Sequence, residues 1–212
     1  SDRHIRFCND IVAKFVARHP DRFMSVAFVR PRDGDKTIDE LHRAFDEMGM
    51  VFLKLLPTDN FGFPIDGPGY APILEWCNNR GIIVKSHSSY NTIPGEDTFS
   101  APWRFIELAR RYPRIRWILA HSGNGTEGQE QAIEAAQSSR NIYLETCSSW
   151  AIHGSIEKIV KGAGEDRVLF GSDMPLMDAR FQLGRIATAN IPREAKRKIL
   201  GLNAIELLGS SA

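Results

Sequence analysis

Six runs rich in Val, Ile, Leu and Phe recur along the chain, at 23–29, 51–56, 82–87, 115–121, 141–146 and 168–170. They lie about 25–35 residues apart, and stretches of helical periodicity separate them. The runs are continuous rather than alternating, as strands buried on both faces are. Parallel strands need crossovers of a dozen or more residues, and this spacing supplies them. Ile38, Leu41, Ala44, Phe45 and Met48 form the apolar stripe of one intervening helix, with Thr37 and Glu40 placed as a capping box and Gly49 as its stop. Ile11, Val12, Phe15 and Val16 share one face of an opening helix that His19-Pro20 ends. No linker or low-complexity stretch divides residues 1–212, so a single α/β domain is expected.

Composition excludes several partners. Twenty-seven Lys and Arg balance 26 Asp and Glu, a net charge of +1, so neither a nucleic-acid field nor a polybasic membrane patch is expected. No apolar run approaches the roughly 20 residues of a membrane span. The three cysteines, Cys8, Cys77 and Cys147, form no C-x-x-C pair, which fits a reducing, cytoplasmic setting.

The chemistry sits where the runs end. Ile-Ile-Val-Lys-Ser ends in His87, Trp-Ile-Leu-Ala in His121 and Leu-Phe-Gly-Ser in Asp173. A charge at the mouth of a buried strand is costly unless something pairs with it or needs it. In a parallel barrel all strands deliver their C-terminal ends to one face, where active sites lie. Two imidazoles and a carboxylate converging there are the donor set of a divalent ion such as zinc. The absence of a G-x-G-x-x-G turn speaks against a dinucleotide-binding sheet. Lys54 lies inside the second run, and a buried lysine is rare unless paired. It either neutralises a carboxylate of the site or substrate, or snorkels out of the barrel mouth. Glu145 and Thr146 end another run, either to orient a ligand histidine or to face the helices. Cys147 reads as a small buried residue, and His4, His19, His42 and His153 as surface or structural.

The pieces "HPDRFMSVAFVRP", "GIIVKSHS", "IRWILAHSGNG", "NIYLETCSS" and "DRVLFGSDMP" together resemble the amidohydrolase superfamily. Within it they resemble the amidohydrolase-related branch that includes aminocarboxymuconate-semialdehyde and resorcylate decarboxylases. The resemblance covers nearly the whole chain and implies a (β/α)8 TIM barrel. It implies that His87 and Asp173 are metal ligands and that His121 is a ligand or a catalytic residue. Asp173 would also handle a proton, and Lys54 matches a position of variable role. Members begin with a strand carrying His-x-His, which is absent here. The first run matches the family's third strand, so two βα units are expected to be missing ahead of Ser1; the alternative is a short protein that closes its edges as a homodimer.

The function implied first is metal-dependent hydrolysis of a small organic substrate, with metal-activated water attacking a carbonyl-type bond. The alternative is non-oxidative decarboxylation of an aromatic or muconate-like acid on the same centre. A third reading, prompted by the absent His-x-His, is a non-catalytic binding module. Phe61, Phe63, Tyr70, Tyr90 and Trp150, in and near the long loops, point to an apolar or ring-bearing substrate.

Overall fold

The computed structural model describes residues 2–58, 62–90, 98–150 and 152–209. Phe61 and the loop stretch 91–95 lie outside them. Among the described residues six strands form one sheet: β1 (Val26–Phe28), β2 (Phe52–Leu55), β3 (Ile83–Ser89), β4 (Arg116–Gly123), β5 (Ile142–Glu145) and β6 (Val168–Leu169). Each strand pairs in parallel with the next in sequence. A doubly wound sheet reverses its strand order at a switch point. This sheet never does, so it is the wall of a (β/α) barrel rather than an open nucleotide-binding sheet. The intervening helices are α1 (Asp2–Arg18), α2 (Asp35–His42), α3 (Ala71–Arg80), α4 (Arg104–Arg111), α5 (Thr126–Ser138) and α6 (Ser155–Ala163). After β6 come α7 (Ala179–Thr188), α8 (Arg193–Arg197) and α9 (Asn203–Gly209). None of these helices is long and apolar enough to cross a membrane.

Alternate strand residues belong to two different cores. Leu53, Leu55, Val84, Trp117, Leu119, Ile142, Leu144 and Val168 pack outward with Leu41, Ile73, Leu74, Phe105, Ala132 and Ile159. Each such aliphatic side chain contributes about 1.5–3 kcal/mol by leaving water. Ile83, Ile118 and Leu169 point the other way, onto Leu207 of α9, with Phe52 and Tyr143 beside them. Arg116 Nη1 holds this plug in place by donating to the Leu207 carbonyl at 2.9 Å. The inner face is therefore apolar at its base. Further up the strands it turns polar: Lys54 is the register partner of Lys85, His87 of Ala120 and Glu145 of Leu169.

Two local expectations are corrected. Helix α1 forms, but Ile11, Val12 and Phe15 are 50%, 38% and 49% exposed, so the apolar stripe looks away from the sheet. Buried Asn9 faces inward instead, donating to the Phe28 carbonyl at 3.0 Å and accepting from the Phe28 N–H at 3.1 Å. An amide that satisfies both backbone groups of a strand residue outweighs a hydrophobic stripe here, because those groups would otherwise be buried unpaired. The capping box is also absent. Helix α2 starts at Asp35, so Thr37 lies within it and donates to the Arg30 carbonyl at 2.7 Å, while buried Glu40 binds Asn9 and Arg43.

Candidate active site

His121 and Asp173 line one cavity at the mouth, and His87 lies against His121. The His87 and His121 rings stand edge to face with centroids 4.8 Å apart. Lys54, Lys85, His121 and Asp173 share a cavity of about 320 Å³ with Val26, Phe52 and Ala120. Asp173 is exposed at the lip, the imidazoles are part-buried below it and Glu145 is fully buried. Backbone strain gathers at the same residues. His121 has φ 74°, Ser122 46°, Asn124 43° and Asp173 54°. Non-glycine residues seldom adopt such angles, and those that do cluster at ligand and active sites.

Hydrogen bonds lace the strand ends together. Ser88 Oγ donates to the Ala120 carbonyl at 3.0 Å and accepts from the Gly123 N–H at 3.1 Å. Ser122 Oγ donates to the Glu145 carbonyl at 2.8 Å. The turn from β4 into α5 needs glycine on both sides. A Cβ on Gly123 would lie 1.9 Å from the Gly128 carbonyl oxygen, and one on Gly128 1.8 Å from that of Gly123. Helix α7, which the sequence reading does not anticipate, supports the next loop. Its Arg185 donates to the Thr146 carbonyl and its Gln182 to that of Ser148, at 2.8 and 3.0 Å.

Electrostatics set the charge states. Burial, then the neighbouring His121 and Lys54, push the His87 imidazolium down to about 3. Burial also lowers His121, against the opposing pull of Glu145. Both rings are thus neutral near pH 7 and keep a lone pair to offer. Burial and then Lys85 push Lys54 down to about 8, which leaves it mostly protonated at neutral pH. Lys54 has no hydrogen-bond or ion-pair partner among the described residues, whereas Lys85 Nζ lies 3.4 Å from Glu145 Oε1. Burial and then Glu145 push the Cys147 thiol up, so it stays protonated.

Sequence reasoning missed Lys85, and it read Cys147 as a small buried residue, which it is, without its contacts to Glu145 and His121. Lys85 reads as one polar residue in an apolar run, and only the register shows it beside Lys54. Glu145 faces the barrel interior rather than the helices, and it touches the backbone of His121, not its ring. Among the described residues the His, Cys, Asp and Glu donors whose ligating atoms all lie within 4.8 Å of one another are His121, Glu145 and Cys147, rather than the trio expected from the sequence. The side chain of Glu145 is engaged with both Cys147 and Lys85. Neutral His87 and His121 and the carboxylate of Asp173 are donor types that suit a divalent ion of borderline hardness.

The comparisons agree with this architecture. The chain is 23% identical to the 2-amino-3-carboxymuconate-6-semialdehyde decarboxylase of Dictyostelium discoideum over 96% of its own length and 66% of that protein's. It is 22% identical to the gamma-resorcylate decarboxylase of Rhodococcus jostii, over 95% of this chain and 75% of the relative. It thus spans about two thirds to three quarters of the length of these relatives. The crystal structure of a dihydroxybenzoic acid decarboxylase from Polaromonas sp. JS666, with bound manganese and the inhibitor 2-nitroresorcinol, superposes with a TM-score of 0.77. That superposition covers 100% of this chain and 76% of the other at 20% identity, and shows a shared fold. The amidohydrolase family model matches residues 2–210. That match over almost the full length, on a continuously wound parallel wall, places this chain in the amidohydrolase family.

Proposed function

We propose that this chain carries the site of a metal-dependent, non-oxidative decarboxylase of a small aromatic or muconate-like carboxylic acid. The observation that carries the reading is Lys54, a part-buried ammonium with no direct hydrogen bond or ion pair among the described residues, in the cavity of His121 and Asp173. A cation that no carboxylate contacts directly in such a place favours an anionic substrate. Hydrolysis of a neutral ester or amide has no use for it. The named relatives, which are decarboxylases, support the same choice over the hydrolase that the sequence reading put first.

His87 and Asp173, with His121, would hold a divalent ion, manganese or zinc. Such an ion supplies Lewis-acid charge to a bound carboxylate or neighbouring oxygen. Lys54 attracts and orients the anionic substrate, while Phe52 and Val26 offer its hydrocarbon part an apolar wall. Loss of carbon dioxide leaves an electron pair on carbon, and that carbon must receive a proton. Asp173 and His121 are the groups in reach of the cavity to handle it. The residues thereby divide the work between binding and proton transfer.

Carbon dioxide release from carboxyl-labelled aromatic and muconate-like acids, in the presence of manganese or zinc, tests the proposal. Release should fall by about 10²-fold or more in Asp173→Asn, the range of lost acid–base catalysis. Turnover of lactones or amides with no carbon dioxide from any acid would return the site to hydrolysis.

A further inference from the structure

Glu145, Cys147 and His121 form a chain of contacts that the proposed reaction does not use. Glu145 Oε2 accepts from the His121 backbone N–H at 3.2 Å and from the Cys147 thiol at 2.8 Å. Its other oxygen meets Lys85. Cys147 Sγ in turn lies 3.2 Å from His121 Nδ1. Glu145 and Cys147 are 2% and 1% exposed, so water has little access to compete for these contacts.

The proton count decides the direction. A carboxylate paired with an ammonium only accepts, so the hydrogen bond between Glu145 and Cys147 takes the one proton a thiol owns. The sulfur then faces Nδ1 with lone pairs. A bare Nδ1 would set lone pair against lone pair, whereas an Nδ1–H makes a hydrogen bond. We propose that Cys147 and Glu145 are positioning residues that fix His121 as its Nδ1–H tautomer, so that Nε2 remains a bare nitrogen for the site. Glu145 serves twice, because its bond to the backbone N–H also holds the left-handed turn at His121. Gly171 makes the room: a Cβ there would lie 1.1 Å from Glu145 Oε1.

A consequence follows for chemistry. Neutral His121 meets a ligand with a lone pair through Nε2, as an ion ligand or proton acceptor, so of the two groups in reach of the cavity Asp173 is the one left to deliver the proton to the substrate carbon. The tautomer stands on geometry alone. Only its use in catalysis rests on the decarboxylase reading.

The test is the nitrogen-15 spectrum of the His121 ring in the metal-free protein. It should show a protonated Nδ1 and a bare Nε2. Cys147→Ser, whose hydroxyl also donates once and accepts, should preserve that pattern, and Cys147→Ala should lose it to a mixture or to the Nε2–H form. An Nε2–H ring in the unaltered protein overturns the proposal without need of any variant, as does an Nδ1–H pattern that survives Cys147→Ala. Cobalt(II) supplies a second readout. A thiolate-to-metal charge-transfer band on adding it would make His121, Glu145 and Cys147 a metal site and overturn the relay; its absence, with the expected spectrum, supports it. None of these readouts depends on turnover, so an inactive protein with the expected tautomer would sink the reaction and leave the inference standing.

Discussion

Gly171 and Glu145 show how tightly single residues are constrained at this site. The Gly171→Ala methyl would overlap the Glu145 carboxylate, which is fully buried and held by Lys85, His121 and Cys147. Overpacking of this kind costs about 1–3 kcal/mol. The expected loss is at least that, read by urea denaturation, because displacement also separates a buried ion pair. Lys54 gives a prediction in pH. Its folded pKa, about 8, lies below the unfolded value near 10.4. Below pH 8 the group is charged in both states and its burial penalty is constant. Between the two values the unfolded chain binds the extra proton, so stability contributed by this residue rises with pH, by at most about 1.4 kcal/mol per unit. Lys54→Met should be the more stable protein below pH 8, and the difference should shrink toward pH 10. A difference that grows instead across that window would mean that Lys54 has a native anionic partner.

At the scale of elements, β4 is the strand on which both cores and the site depend. Trp117 and Leu119 fill the outer core, Ile118 the inner one, and His121 lies near the strand's end at the mouth. Trp117 packs edge to face on Phe105 with centroids 5.5 Å apart, and its indole N–H is buried with no hydrogen-bond partner among the described residues. The ring therefore contributes packing rather than a polar bond. Trp117→Ala should lose about 3–5 kcal/mol, and Trp117→Phe less than half of that, by thermal or chemical unfolding. Equal losses would point to a hidden partner for the N–H. Helix α1 shows the limit of pattern reading. Its periodicity specifies a helix but not which face meets the sheet, because Asn9 is needed by the backbone of β1.

For the whole molecule, the site and the fold are linked through any ion they bind. A ligand that binds only the folded chain stabilises it by about 2.7 kcal/mol at a hundred times its dissociation constant. Manganese or zinc should raise the melting temperature of the unaltered protein, and His87→Ala should abolish most of that rise while changing the ion-free melting temperature little. An equal rise in both would place the ion elsewhere. Much of this architecture was legible in the chain: repeated apolar runs at crossover spacing specify parallel βα units, and His87, His121 and Asp173 stand out because a polar residue ending a buried run has few other reasons to be there. Strand geometry makes successive residues face two ways, but continuous apolar runs do not say which way is the barrel interior. Only tertiary structure set Lys85 beside Lys54 and carried it past β4 to Glu145. Only tertiary structure brought Cys147 against His121. Those contacts join residues 26 to 60 positions apart, and local sequence holds no record of which distant side chains share a low-dielectric space. The chain by itself marked His87, His121 and Asp173 at the ends of buried runs; the packing of the strands decided which other residues join them, which carry charge and which are tied down.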